Sequence, residues 1–342
     1  MTRAAAHVSR RRRLGPRGVA LALATALALA GCSGSGKDSD GDPDGQSTAG
    51  GLTLSGQWPL TGLPAKGAAP KHPVMVVKID NTSASSPQVG LGQADLVTEE
   101  LVEGGSTRLA VFYYSRVPQR VGPVRSFRAT DIGIVKPAEA VLIASGGAPP
   151  TVRRMRESKV RTFTEGAQGY SRDSSRVSPY DLFMNLSSLA RTLKSEGAPD
   201  NYLPWGSQED FPSGVRANGL SAQFSASHST TWEYRGGRYV NVNSFAAEPG
   251  RFDPKTVLVL RVRVGDAGYK DPAGNPVPET IFTGKGQALV FHGGTVVRGS
   301  WSKAGLEAPV KLRGKDGELT LPSGRVWIEL VPANGGNVTI TR

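Results

Sequence analysis

From residue 73 onward, β-branched and apolar runs alternate with short polar breaks, a pattern that predicts strands more often than helices. "PVMVVKID" (73–80) and "RLAVFYYS" (108–115) read as buried strands. After "VGPVRSFRATD" (121–131) the pattern predicts a helix from Ser126, its cap, to Lys136, with Pro137 as the stop, and then a strand in "AVLIASGG" ending in a glycine turn. "PPTVRRMRE" predicts another helix. In "DLFMNLSSLARTLKSEG", Leu182, Leu186, Leu189 and Leu193 recur at helical spacing and Gly197 follows, which predicts a longer amphipathic helix. The expected architecture here is an α/β or α+β domain with a mixed sheet.

Beyond about residue 215 the helical period disappears. "TTWEYRGGRYVNV" and "ALVFHGGTVVRGSW" are strand pairs around Gly-Gly turns, and "TVLVLRVRV", "ELTLP" and "RVWIELVP" add further strands. The expectation is a mostly β C-terminal domain, with no period that suggests a solenoid or propeller.

The start of the chain has a different texture. Six arginines (Arg3, Arg10, Arg11, Arg12, Arg13, Arg17) precede the apolar run "VALALATALALA" (19–30), too short to span a bilayer comfortably. It ends in Leu29-Ala30-Gly31-Cys32, which is similar to the bacterial lipobox, and Cys32 is the sole cysteine of the 342 residues. Residues 1–31 are therefore expected to be a lipoprotein signal peptide, by a general or a twin-arginine route. Cys32 is the expected lipidation site, its acyl chains anchoring the protein to the extracytoplasmic face of the membrane. The Gly/Ser/Asp-rich stretch 32–70 reads as a flexible tether, 71–214 as the α/β domain with a polar cleft, and 215–342 as the β-rich domain.

Of the formal charge of +12, the signal arginines account for +6 and the tether (Lys37 against Asp38, Asp40, Asp42 and Asp44) for −3, leaving about +9 on the rest. Such a surface suits an anionic wall polymer, lipid head groups or an envelope protein; nucleic acid is not an expected partner outside the membrane. The chain has no Gly-x-Ser-x-Gly elbow, Walker loop or dinucleotide fingerprint, and His72, His228 and His292 lack ligand spacing. They read as surface or satisfied histidines, and neither a metal nor a cofactor is expected.

Polar clustering is concentrated before residue 180. Asp95, Glu99 and Glu103 lie four apart, so a strand or a helix would turn all three to one side. On the favoured strand they are too widely spaced for a two-carboxylate pair among themselves, about 13 Å per four residues. An acid could still pair with Asp80, Asp131 or Asp173. Arg125 and Arg128 flank a helix start, where they either receive a phosphate or carboxylate or neutralise Glu99, Glu103 or Asp131. Arg172, Asp173 and Arg176 form a further loop candidate in "GYSRDSSR".

Taken in order, "IDN" (79–81), "PQ" (87–88), "GLGQADLV" (90–97), "VEGGSTR" (102–108), "GPVRS" (122–126) and "RDSSR" (172–176) resemble the YerB-like bacterial lipoproteins. "GKGQALVFHGGTVVRGSWSK" and "SGRVWIELVP" extend the resemblance to about residue 332. It implies a two-domain, lipid-anchored protein and no particular reaction. Where that family usually has Pro-His-Asn, this chain has Pro179-Tyr180-Asp181, so a mechanism needing that imidazole is in doubt.

Three functional expectations follow. The first is binding of an anionic envelope ligand or protein partner by a cleft of Asp80, Asn81, Arg108, Arg125, Arg128 and Arg172. The second is a carboxylate-based hydrolase of an envelope glycan or phosphopolymer, with Glu99, Glu103 or Asp173 as catalytic candidates. The third is a scaffold for a membrane protein.

Overall fold

The computed structural model describes residues 56–342 apart from Glu196. The first part contains β1 (Met75–Asn81), β2 (Leu96–Leu101), β3 (Thr107–Tyr113), α1 (Asp131–Val135), β4 (Val141–Ile143), α2 (Pro149–Glu157), β5 (Thr162–Phe163), β6 (Tyr170–Arg172), β7 (Leu182–Met184) and α3 (Leu186–Ala190). Next come the short β8 (Trp205–Gly206) and β9 (Val215–Arg216), then β10 (Gly219–Gln223), β11 (Ser229–Arg235), β12 (Arg238–Asn241), β13 (Thr256–Lys270) and β14 (Pro276–Ile281). The chain finishes with β15 (Gly284–His292), β16 (Thr295–Lys303), β17 (Lys311–Gly314), β18 (Gly317–Glu318), β19 (Leu321–Pro322), β20 (Val326–Pro332) and β21 (Asn337–Thr341). The first region is thus a mixed sheet with few helices, and the second is built of strands.

One large sheet runs through both regions in the order β18-β17-β16-β15-β13-β20-β2-β3-β1-β4-β5. Its centre is apolar on both faces. Val76, Leu96, Phe112, Leu258 and Ile328 pack on one side with Ile132, Leu142 and Tyr202, while Val77, Val97, Val111, Val257 and Trp327 pack on the other with Met184, Leu186, Leu220 and Trp232. Double burial is why β1 reads as a continuous apolar run rather than an alternating one. The second face is covered partly by a separate four-stranded sheet, β12-β11-β10-β21.

Several expectations need correction. The boundary at 214 and 215 divides stretches of sequence, not sheets: β20 lies between β13 and β2, parallel to both. The expected tether runs too far, because Leu60 is buried and the Trp205 indole donates to the Pro59 carbonyl at 2.9 Å. Ser126 caps no helix. Residues 121–125 instead run extended beside the end of β1, with the Arg125 amide donating to the Lys78 carbonyl at 2.9 Å, and α1 begins only at Asp131. The leucine-spaced helix expected over 181–197 is a strand, β7, followed by the single-turn α3, which Asn185 caps through the Ser188 amide. All four leucines are buried all the same, so the apolar pattern reported burial correctly and its period misreported the backbone.

Candidate functional site

The polar residues gather where β1 and β2 end and β3 begins, and strand alternation divides them between the two faces of the sheet. On the first face, β1 contributes Lys78 and Asp80, β2 Glu100, and β3 Arg108, which stands opposite both Asp80 and Glu100. Lys78 Nζ reaches Glu100 Oε1 at 2.6 Å and Asp131 Oδ1 at 2.8 Å, and all three side chains are fully buried. Burial and the neighbouring Asp131 charge push Glu100 up to about 7 against the opposing pull of Lys78.

Outward from this triad lie three arginines and two carboxylates. Arg128 donates to both oxygens of Glu103, through Nε at 2.8 Å and through Nη2. Arg108 donates to Glu103 Oε1 at 3.2 Å and to the Ser126 carbonyl at 2.9 Å. Burial raises Glu103, but the Arg128 hydrogen bond and the charges of Arg108 and Arg128 outweigh it and hold the carboxyl below its ordinary value. Burial and the Arg128 charge bring Arg108 down to about 10.

Arg125 differs from its neighbours. Its Nη1 lies 3.4 Å from Asp80 Oδ2, yet that nitrogen is buried and makes no hydrogen bond. Asp80 Oδ1 is occupied by the Thr82 amide at 3.0 Å and the Thr82 hydroxyl at 2.5 Å. Beneath the guanidinium, 5.0 Å away, is the ring of Tyr180, the residue standing where the family resemblance implies a histidine. With 18% of its side chain exposed, Arg125 is the most accessible of the three arginines.

The second face holds Glu99, whose Oε1 accepts from Asn81 at 2.9 Å, Thr107 at 2.7 Å and Thr230 at 2.9 Å, with His228 Nε2 at 3.0 Å. Glu329 of β20 stands opposite Glu99 in register and accepts from the Trp232 indole at 2.7 Å. Burial raises Glu99, but His228 and Thr107 reverse this, so Glu99 lies low; burial and the Glu99 charge drive Glu329 well up. The two buried carboxyls are thus driven in opposite directions, the charged form favoured at Glu99 and the neutral form at Glu329.

The expected stripe of Asp95, Glu99 and Glu103 is therefore broken. β2 stops at Leu101 and a short 3-10 turn follows over Glu103–Gly105, so strand alternation does not extend to Glu103, which serves the first face while Glu99 serves the second. Asp95 fastens the end of β3, accepting from the Tyr114 and Ser115 amides at 2.7 and 2.9 Å. Arg172 pairs elsewhere, with Glu165 at 2.7 Å and Asp181 at 2.6 Å, and Asp173 is held down to about 2 by Ser175 and Arg120. Their loop meets the arginine cluster through Tyr180.

Models of the family described as protein of unknown function (DUF3048) match twice, with the N-terminal domain over residues 60–199 and the C-terminal domain over 220–328. The chain belongs to the DUF3048 family. A family relative, "Putative lipoprotein YerB" of Bacillus subtilis (strain 168), is 23% identical over 291 residues, 80% of this chain and 86% of YerB. The crystal structure of the YerB protein matches 83% of this chain and 99% of that one with a TM-score of 0.69 at 19% identity, so the two share a fold. The ordered motifs noted in the sequence are thus those of a DUF3048 protein, and several of them cover the ends of β1, β2 and β3 and the stretch of Arg125.

Four participants were not singled out from the sequence: Lys78, Glu100 and Glu329, which sit inside apolar strands, and His228, read as a surface or satisfied residue. The available signal was a charge within a β-branched run ("VVKID", "VTEEL", "WIELV"), because a charge in a doubly buried strand requires a partner.

Proposed function

We propose that this DUF3048 protein is a membrane-anchored extracytoplasmic lipoprotein that binds an anionic group of a cell-envelope ligand at Arg125. The observation that carries the reading is the partly exposed guanidinium of Arg125, 18% accessible, in which even the buried Nη1 has no hydrogen bond although the group is held in place by Tyr180 and by backbone pairing to β1. Arg108 and Arg128 are engaged by Glu103 and supply background positive potential rather than free donors. The cluster of three arginines, Asp80 and Glu103 keeps one net positive charge for an incoming phosphate or carboxylate.

The hydrolase reading is less well supported. Glu99 is sealed from solvent, Glu103 is bound by two arginines and Asp173 is bridged to Arg120, so none of the three is presented to a substrate as a free acid or base. Anchoring is proposed through Cys32, which lies outside the described residues; among those residues no helix is long and apolar enough to cross a membrane.

Binding of the full-length lipoprotein to isolated wall fractions, with inorganic phosphate as competitor, tests the site. Arg125→Ala is expected to weaken binding roughly tenfold to a hundredfold, the worth of one charge-assisted hydrogen bond, and Arg125→Lys to restore it in part. Unchanged binding in Arg125→Ala would remove the proposal. Loss of acyl labelling in Cys32→Ser checks the anchor.

A further inference from the structure

At the end of the large sheet formed by β15, β16 and β17, strand register builds an array of cations with a single acid beside it, Glu318 of β18, which stands opposite Arg313. Lys285 stands opposite Ser302, and Ser302 opposite Lys311; one row along, Gln287 stands opposite Ser300, and Ser300 opposite Arg313. Directly opposed residues share a face, and all six are exposed. Cations two strands apart are separated by about 10 Å, and Lys311 and Arg313, two residues apart on one strand, by about 7 Å. None of the three cations enters an ion pair among the described residues, and Glu318 is the one acid lining this hollow.

The face is a groove rather than a flat surface. One hollow of about 660 Å³ is lined by all six residues, and a second of about 520 Å³ shares Lys285, Ser302 and Lys311 with it. The wall of the second is braced by a buried lysine: Lys303 Nζ donates to the carbonyls of Gly305 at 2.7 Å, Leu306 at 2.7 Å and Ala308 at 2.6 Å. A loop tied down in this way presents a preformed surface, which lowers the ordering cost of binding.

We infer that the β15–β16–β17 groove binds an extended polymer carrying repeated phosphate groups, at a site separate from Arg125. Charge complementarity requires an anionic occupant, and two joined hollows crossing three strands are longer than a single phosphate. Both cation types here bind phosphate, the two lysines as point charges and Arg313 through its planar fork, and the carboxylate polymer is the competing outcome of the test. The serines and Gln287 between the cations offer neutral hydrogen bonds to the linking units. A concave groove with uncharged groups between its cations fits a chain laid along it better than a membrane surface.

The test uses the full-length lipoprotein in detergent micelles with three probes: linear polyphosphate, polygalacturonate and phosphatidylglycerol-doped micelles. The variant Lys285→Gln/Lys311→Gln/Arg313→Gln, whose changed residues are exposed, is checked for an unaltered melting temperature. Polyphosphate is expected to bind in a salt-sensitive manner, at least tenfold more tightly than polygalacturonate. The triple variant is expected to lose at least tenfold in affinity, and Lys66→Gln, at an exposed lysine that lines neither hollow, to lose none. The proposal is overturned if the triple variant keeps its polyphosphate affinity, if polygalacturonate binds as tightly, or if only the doped micelles respond to the substitutions. If polyphosphate binding falls in Arg125→Ala and not in the triple variant, the groove is likewise not the site.

Discussion

Glu99 on β2 and Glu329 on β20 face each other across adjacent parallel strands, both fully buried, with the low-lying carboxylate under Asn81, Thr107, Thr230 and His228 and the raised one under Trp232. The pair joins strands more than two hundred positions apart in sequence, and burial beside the Glu99 charge favours a proton on Glu329.

That proton gives a stability difference with a definite sign. Glu329, raised in the folded state, stabilises fully below its unfolded value near 4.5 and loses that contribution as pH rises through its folded value. Glu99, lowered, contributes above 4.5 and loses it as pH falls through its folded value. Glu329→Gln mimics the protonated form, so its stability relative to the parent is expected to increase as pH goes from 5 to 9. Urea midpoints of both proteins across that range check it; a constant difference would contradict the proton on Glu329.

Lys78 is the sole cation reaching both Glu100 and Asp131 among the described residues. Lys78→Met leaves two buried carboxyls without their counter-charge and should cost about 3–5 kcal/mol. Adding Glu100→Leu and Asp131→Asn should recover most of the loss. Denaturant midpoints of the single and triple variants provide the comparison, and equal losses in both would show that the ammonium was not compensating these acids.

Glu103 holds Arg108 and Arg128 together. Glu103→Gln should destabilise by roughly 1.5–3 kcal/mol through lost charge-assisted bonds, and should tighten phosphate binding because two guanidiniums regain free donors. Calorimetric titration with inorganic phosphate measures the second effect. Weaker binding would mean that Glu103 organises the site rather than competing with its ligand.

Gly90 opens the "GLGQADLV" motif with φ of 92°, and a Cβ there would lie 2.5 Å from Val121 Cγ1 and 2.8 Å from the Arg120 carbonyl. Gly90→Ala combines backbone strain with a collision against the segment that positions Arg125, and should cost about 2 kcal/mol or more. A melting temperature equal to the parent's would show that the segment yields freely.

Sequence alone was sufficient wherever the determining physics is local. The burial of β1 and β3, the helix at "PPTVRRMRE", the loss of helices after residue 215 and the family motifs all depend on near neighbours or on ordered short stretches. Tertiary structure decided what depends on distant ones. Leu182 and Met184 became a strand because β6 and the extended chain at Val121 offer them backbone partners, which a helical leucine period does not report. Glu103 left the face of Glu99 because β2 ends before it, and β20, from the far end of the chain, pairs in parallel with both β2 and β13. The arginines of "VGPVRSFRATD" were visible as a cluster, but which of them is occupied was set by Glu103 and Asp80 folding back onto them. Pairing of charges is a property of three-dimensional neighbours, and spacing along the chain carries no record of it.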